Sequence, residues 1–363
     1  MTERIETGEL KFIVSDSIFL TEKKGISKEN YFEVMLPALE KELQRHVGEI
    51  QNGLTDELYE MLAYHLGWTN EAGQKPTVHG KRIRPLMMML VAEGLGQDWR
   101  TVLPAAAAIE LVHNFSLIHD DIQDHSDLRR GRPTVWKKWG VDQAINAGDA
   151  MFALAHQAIL RLGDNTSAAS VLQALDVMTQ ACMGLAQGQY LDLNYEREND
   201  LSQEAYWYMV TRKTASLIAA SCELGAILAG AGANTRTACR KLGESLGLAF
   251  QAKDDFLGIW GNEAQIGKPV TSDLLSRKKS LPIVFALEAN GEFAAWWKQD
   301  VFVPEEIPNL VSLLENDGAR EYTLDMVNGL TDLALEEMQE IPFSSEHRSI
   351  ISDLIFGLLH REK

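Results

Sequence analysis

The chain has 363 residues, 45% of them hydrophobic and 24% charged, which is enough to bury a large core as an ordinary globular protein. Its 52 acidic against 34 basic residues give a net charge of −18, which excludes a dedicated nucleic-acid binder, since that needs a basic face to displace counterions. Cys182, Cys222 and Cys239 are widely spaced and lack a CxxC pair, so they read as buried thiols of a cytoplasmic, reducing compartment.

In chain order, MTERIETGELKF shows no signal pattern, and Asn70 to His79, interrupted by Gly73 and Pro76, reads as a surface loop. Asp98 is the expected N-cap of a helix whose buried stripe is Ala108, Leu111, Val112, Phe115 and Ile118 or His119, with Gly131 and Pro133 marking its end. Further helices are expected over Val141 to Leu162, Ser167 to Leu193, Ser202 to Arg212, Ala215 to Gly230 and Arg236 to Phe256. Gly258 to Lys279 reads as a long functional loop, followed by amphipathic stretches at Leu310 to Leu314 and Tyr322 to Met338. No strand alternation is sustained. The best membrane candidate, Thr214 to Ala233, carries Glu223 at its centre, so no transmembrane segment is expected. The simplest reading is a single all-α domain over residues 1–363 with about a dozen helices.

Two acid clusters end apolar helices. In FSLIHDDIQDHSDLRRGRPT, Asp120 and Asp124 lie one helical turn apart, with Asp121 about 100° round. Carboxylates so placed repel one another unless they share a hard cation such as Mg²⁺, which takes oxygen ligands and keeps phosphate oxygens and waters. A solvated acidic helix end is the alternative for such a cluster alone. The second cluster is Asp254-Asp255 in GLAFQAKDDF, and four basic elements accompany the two: Lys81, Arg82 and Arg84; Arg129 and Arg130; Arg212 and Lys213; and Lys268, Lys278 and Lys279. Carboxylates hold metals, metals neutralise phosphates, and Arg and Lys take the remaining oxygens.

With these motifs in hand, the chain resembles the trans-isoprenyl diphosphate synthases, or polyprenyl synthetases. The likeness runs from about His79 to Leu287 through GKRIRP, LIHDDIQDHSDLRRGRPT, GDAMF, GQYLDL, KTASL, GLAFQAKDD and a GKP…D…KK loop, with the C-terminal helices at about 305–360 outside it. The resemblance implies an all-helical bundle around a deep apolar cavity, a homodimer, and a transferase that joins isopentenyl diphosphate head-to-tail to allylic diphosphates with three Mg²⁺ ions. It implies that Asp120 and Asp124 ligate Mg²⁺ with Asp121 in support, and that Asp254 takes the third ion with Asp255 nearby. Arg129, Lys213 and Lys268 would grip the allylic diphosphate; Lys81, Arg84, His113 and Arg130 would hold isopentenyl diphosphate. Thr214, Gln189 and Gln251 would face the carbocation with Asp192 supporting Gln189, and Lys278 would belong to a closing loop.

The second motif departs from the family pattern, with Gly258 where a third acid usually stands. Phe115 and Ser116, five and four residues before Asp120, are the expected limit on product length; one aromatic and no insertion is the pattern of geranylgeranyl diphosphate synthases. Farnesyl diphosphate synthesis, a terpene cyclase on the same scaffold and a non-catalytic partner subunit are the alternatives. The isopentenyl set Lys81, Arg84 and His113 argues against the cyclase, and the intact acid pairs argue against the inactive subunit.

Overall fold

Helical periodicity becomes a layered helical bundle in the computed structural model, which describes residues 31–70, 80–198, 200–261, 272–275, 277–298 and 304–359. The helices are α1 (Tyr31–Gly48), α2 (Asp56–Leu66), α3 (Ile83–Gly94), α4 (Leu103–Gln123), α5 (Val135–Trp139), α6 (Val141–Leu160), α7 (Ala168–Tyr195), α8 (Gln203–Val210), α9 (Ser216–Leu228) and α10 (Ala233–Trp260). Then come α11 (Ser272–Leu275), α12 (Leu281–Ala289), α13 (Glu292–Trp297), α14 (Ile307–Asn316), α15 (Ala319–Gln339) and α16 (Ser345–Leu359). Helix α9 sits between α3, α7 and α10, α4 lies between α3 and α6, and α10 packs along α15. Helix α10 joins the three apolar clusters: Leu242, Leu246 and Ala249 belong to the main core, Ala252 to a patch with Tyr206 and Val284, and Ile259 to one with Phe293 and Trp297. Burial of these side chains stabilises the bundle by about 1.5–3 kcal/mol for each large apolar residue.

Several boundaries follow the sequence closely. Ser167 caps α7 by accepting from the Ser170 amide at 3.1 Å, and Ser202 caps α8 through Ala205 at 3.2 Å. Others move. Asp98 caps a 3-10 turn at Trp99–Val102 through the Arg100 amide at 2.9 Å, and α4 begins only after it. Helix α4 ends at Gln123 with Asp124 as its C-cap, well before Gly131. The residues between form an unexpected two-stranded antiparallel hairpin, Leu128–Arg129 (β1) with Arg132–Pro133 (β2). Its two-residue loop has positive φ at both positions, 52° at Arg130 and 73° at Gly131, the combination a type I′ turn demands. A left-handed arginine carries no helix or strand signal in sequence, which is why the hairpin was not foreseen.

Helix α10 runs through Gly258 to Trp260, beyond its expected end, because Ile259 is buried and Trp260 packs on Phe256 with ring centroids 5.2 Å apart. Residues 262–271 and most of the Asn70 to His79 loop lie outside the described residues, as does Lys268. The Thr214 to Ala233 stretch is no single span: it divides into a π-helical turn, α9 and the start of α10. Among the described residues one stretch, Trp99–Gln123, is long and apolar enough to cross a membrane, and most of it is buried in the bundle. The three cysteines are buried thiols.

Candidate active site

The first acid cluster lies where α4 leaves the core. Asp121 turns inward, 2% exposed, and is held by Arg129, whose Nε lies 2.9 Å from both carboxylate oxygens and whose Nη2 reaches Oδ1 at 2.8 Å. Asp120 is half-buried and Asp124 exposed. Burial pushes the Asp120 carboxyl up to about 6, against the pull of Lys213 and with a further push from Asp124. Asp120 and Asp124 are therefore the carboxylates of this cluster that reach solvent, with Lys213 and Arg129 as the nearby cations.

Helix α10 repeats the division. Asp255 is 2% exposed and receives the Tyr206 hydroxyl at 2.5 Å, the Leu281 amide at 2.7 Å and the Gln251 side-chain amide at 2.8 Å. Asp254, which retains contact with solvent, is surrounded by enough protein that burial, then the neighbouring Asp255, pushes its carboxyl up to about 6, while Lys81, Lys278 and Arg84 pull the other way. Gln251 accepts the Thr214 hydroxyl at 2.7 Å, so Thr214, Gln251, Asp255 and Tyr206 form one continuous chain.

Between the two acid groups stands the RKTA segment, folded as a π-helical turn at Thr211–Ala215, a distortion common at functional sites. Gly188 on α7 makes it possible: a Cβ there would lie 2.2 Å from the Lys213 amide nitrogen. The close approach lets Lys213 pair with Asp192. Burial opposes the Asp192 charge, but Lys213 and then Lys278 hold its carboxyl below the usual range. Asp192 thus answers to Lys213 and not to Gln189, the partner expected from the resemblance. The Gln189 amide instead donates to Gln123 at 2.9 Å, leaving its own oxygen buried without a hydrogen-bond partner. Lys278 lies near both Asp192 and Asp254 and lines a small pocket with Lys213, Thr214 and Asp255.

The cationic side is built around the GKRIRP segment. Lys81 and Arg84 do not share a helical turn, because α3 starts at Ile83 and Arg82 is left-handed at φ 50°. Arg82 is structural: its buried guanidinium bonds Glu40 at 2.7 Å, Glu110 at 2.6 Å and the Leu66 carbonyl at 3.0 Å. Arg84 donates to His113 Nε2 at 3.2 Å. Burial and the surrounding Arg84, Arg130 and Arg129 push His113 well below the usual histidine range, so it is neutral with its proton on Nδ1. Gly80 admits the Arg130 guanidinium, 2.9 Å from where a Cβ would stand. Crowding by protein, then by Arg82 and Arg129, lowers Arg130 to about 10, the mark of a site short of anions. The pocket beside it is lined by Asp121, Arg129, Arg130, Arg132 and His65.

Phe115 and Ser116 lie on the half-buried face of α4 above the Asp120 turn. Phe115 stacks edge-on with Phe152 of α6 at 5.0 Å, and Phe152 with His156 at 4.5 Å, while the Ser116 hydroxyl is returned to the His113 carbonyl at 2.8 Å. Sequence reasoning missed Tyr206, Gln123, Phe152 and the Arg82 anchors Glu40 and Glu110. Gln123 and Phe152 lie inside the quoted motifs and the other three outside them, but the part each plays is seen only through a partner distant in the chain.

The family profile described as Polyprenyl synthetase matches residues 67–310. The chain is 39% identical over 303 residues to (2E,6E)-farnesyl diphosphate synthase of Mycobacterium tuberculosis, covering 77% of this chain and 83% of that protein. It is 40% identical over 242 residues to geranylgeranyl diphosphate synthase of the same organism, covering 66% and 68%. The structure of a polyprenyl synthetase from Streptomyces coelicolor superimposes with a TM-score of 0.82 and 36% identity, covering 90% of this chain and 98% of that one.

Proposed function

The chain belongs to the polyprenyl synthetase family of trans-prenyltransferases, and we propose that it joins isopentenyl diphosphate to allylic diphosphates with geranylgeranyl diphosphate as its main product. The observation that supports the condensing reaction is that each acid group is accompanied by its own cationic side chains, Lys213 and Arg129 near Asp120 and Lys81, Lys278 and Arg84 near Asp254. Two diphosphates must be held at once, and the resemblance gives a set of side chains to each.

Magnesium fits the donors present. Among the described residues no three His, Cys, Asp or Glu side chains gather into a complete metal cage. Asp120 with Asp124, and Asp254 apart from them, would each give a hard cation one or two oxygens, with diphosphate and water completing the shell. That is the donor set expected for ions held between protein and substrate, three of them by the family resemblance. Bound there, magnesium would neutralise the leaving diphosphate. By the resemblance Arg129, Lys213 and Lys268 would grip the allylic diphosphate, with Lys278, near both Asp192 and Asp254, on the loop that would close over them. Lys81, Arg84, Arg130 and neutral His113 form the isopentenyl set. Thr214, Gln251 and Gln189 supply neutral oxygen dipoles, suited to a positive charge that must not be captured.

Phe115 supports the C20 product: it is the single aromatic before the first acid cluster, and its stack on Phe152 gives the floor a second wall. Incubation with Mg²⁺ and dimethylallyl, geranyl or farnesyl diphosphate, with and without isopentenyl diphosphate, tests both parts. Elongation that depends on isopentenyl diphosphate and stops at C20 is expected. Hydrocarbons or alcohols from an allylic substrate alone would mean a cyclase, and arrest at C15 would move the floor upward. Phe115→Ala should lengthen the products.

Exposed apolar side chains recur at Ile145 and Phe152 of α6 and at Leu172, Met183 and Tyr190 of α7, spacings that keep each set on one helix face. A second copy of the chain is the proposed occupant, and light scattering in solution reads it directly. A cytoplasmic location accords with the three free thiols.

A further inference from the structure

The chain Tyr206–Asp255–Gln251–Thr214 has a fixed direction, and we propose that this direction is what presents the Thr214 oxygen to positive charge, with Asp255 as its positioning residue. The proposal rests on the condensing reaction above and adds to it how one of the cation-facing groups is oriented.

Donors converge on the two oxygens of Asp255. The Tyr206 hydroxyl at 2.5 Å and the Leu281 amide at 2.7 Å both take Oδ2, while Gln251 takes Oδ1 at 2.8 Å. Facing an accepting oxygen, Gln251 must present its NH₂, so its carbonyl oxygen lies at the other end of the amide. That oxygen accepts the Thr214 hydroxyl proton at 2.7 Å. A hydroxyl has one proton and two lone pairs. With the proton committed to Gln251, Thr214 has only lone pairs to offer the cleft, and it cannot donate toward a developing cation. The chain is mostly buried: Tyr206 is 1% and Asp255 2% exposed, and both line the same small pocket as Thr214 and Lys213. Tyr206 comes from α8, forty-nine residues from Asp255, and shares Oδ2 with the Leu281 amide. The accept-only carboxylate they hold in place is what fixes the sense of Gln251 and, through it, of Thr214.

Asp255→Asn reverses the direction with almost no change of shape. Oδ2 still serves Tyr206 and Leu281, but an NH₂ now faces Gln251, which must turn its oxygen toward it and its NH₂ toward Thr214. Thr214 then accepts, and its proton points elsewhere. Adding Gln251→Glu restores the original sense: a carboxylate at position 251 accepts both from the new amide at position 255 and from Thr214, and the total charge is unchanged. The expected result is a loss of about a hundredfold in kcat for Asp255→Asn with allylic KM little changed, and recovery of at least about tenfold in the double variant.

A second measurement needs no turnover: the Kd of an ammonium analogue of the allylic diphosphate against that of its uncharged carbon counterpart. The wild type should favour the ammonium form, Asp255→Asn should lose at least about tenfold of that preference, and the double variant should regain it. A preference changed less than about threefold by Asp255→Asn, or a double variant no better than the single one, overturns the proposal. Should Asp255→Asn fail to fold, Thr214→Val removes the presented oxygen with almost no change of shape and should lose at least about tenfold of the ammonium preference, and a change below about threefold overturns the proposal. A wild type that yields no elongation product sinks the condensing activity, while the affinity ratio still judges the direction of the chain.

Discussion

The two acid clusters solve one problem by different means. In each, one aspartate is drawn into the protein and another is left outward. Asp121 is anchored by a charged partner, Arg129, which comes from the hairpin eight residues on. Asp255 is anchored by neutral donors from three separate places: Tyr206 on α8, the first amide of α12 and Gln251 one turn earlier on α10. The first anchor is local and electrostatic, while the second is long-range and built of ordinary hydrogen bonds. The difference teaches where each cluster is vulnerable. The first leans on an ion pair; the second depends on the packing of three helices around one carboxylate.

Removing an outward acid should have the largest effect in either cluster. Asp120→Ala is expected to cut kcat by about a thousandfold and Asp254→Ala by at least about a hundredfold, with far-ultraviolet circular dichroism unchanged. Steady-state rates check this, and near-normal turnover in either would remove that cluster from the site.

Acidity comes next. Asp120 and Asp254 both sit at about 6 in the metal-free protein, above the ordinary carboxylate value. At these two carboxyls the folded state therefore binds more protons than the unfolded one between about pH 4 and 6, so their contribution to metal-free stability falls as pH rises through that window and stays lower above it. Mg²⁺ competes with those protons, and its thermal stabilisation should be small near about pH 5 and grow toward about pH 7. Melting temperatures with and without Mg²⁺ across that range read the effect; a stabilisation independent of pH would contradict it.

The anchors separate the clusters. Arg129→Ala leaves a buried carboxylate without that cation and should cost about 3 kcal/mol of stability. Tyr206→Phe removes one of several donors on Asp255 and should cost about 1–2 kcal/mol. Denaturant unfolding ranks the two, and the reverse order would mean that the hydrogen-bonded anchor is the stronger one.

Much of this site was legible because its chemistry is written in residue types. Paired aspartates after an apolar stripe, with clustered Arg and Lys elsewhere, are a combination that folding alone does not require. The helices that carry them were legible too, since apolar periodicity and the Ser167 and Ser202 caps are local signals. The hairpin was not, because positive φ at Arg130 leaves no trace in composition. Nor was the π-helical turn at Lys213, which depends on the missing side chain of Gly188 on another helix.

The sequence by itself determined that the protein is helical and acidic and carries paired aspartates with clustered Arg and Lys, because those properties reside in individual side chains and their spacing. Only the tertiary structure decided which aspartate of each pair faces outward, that Asp192 serves Lys213, and that Tyr206 reaches Asp255. Those outcomes depend on which partners arrive from distant parts of the chain, and a buried carboxylate takes its role from whatever donors surround it.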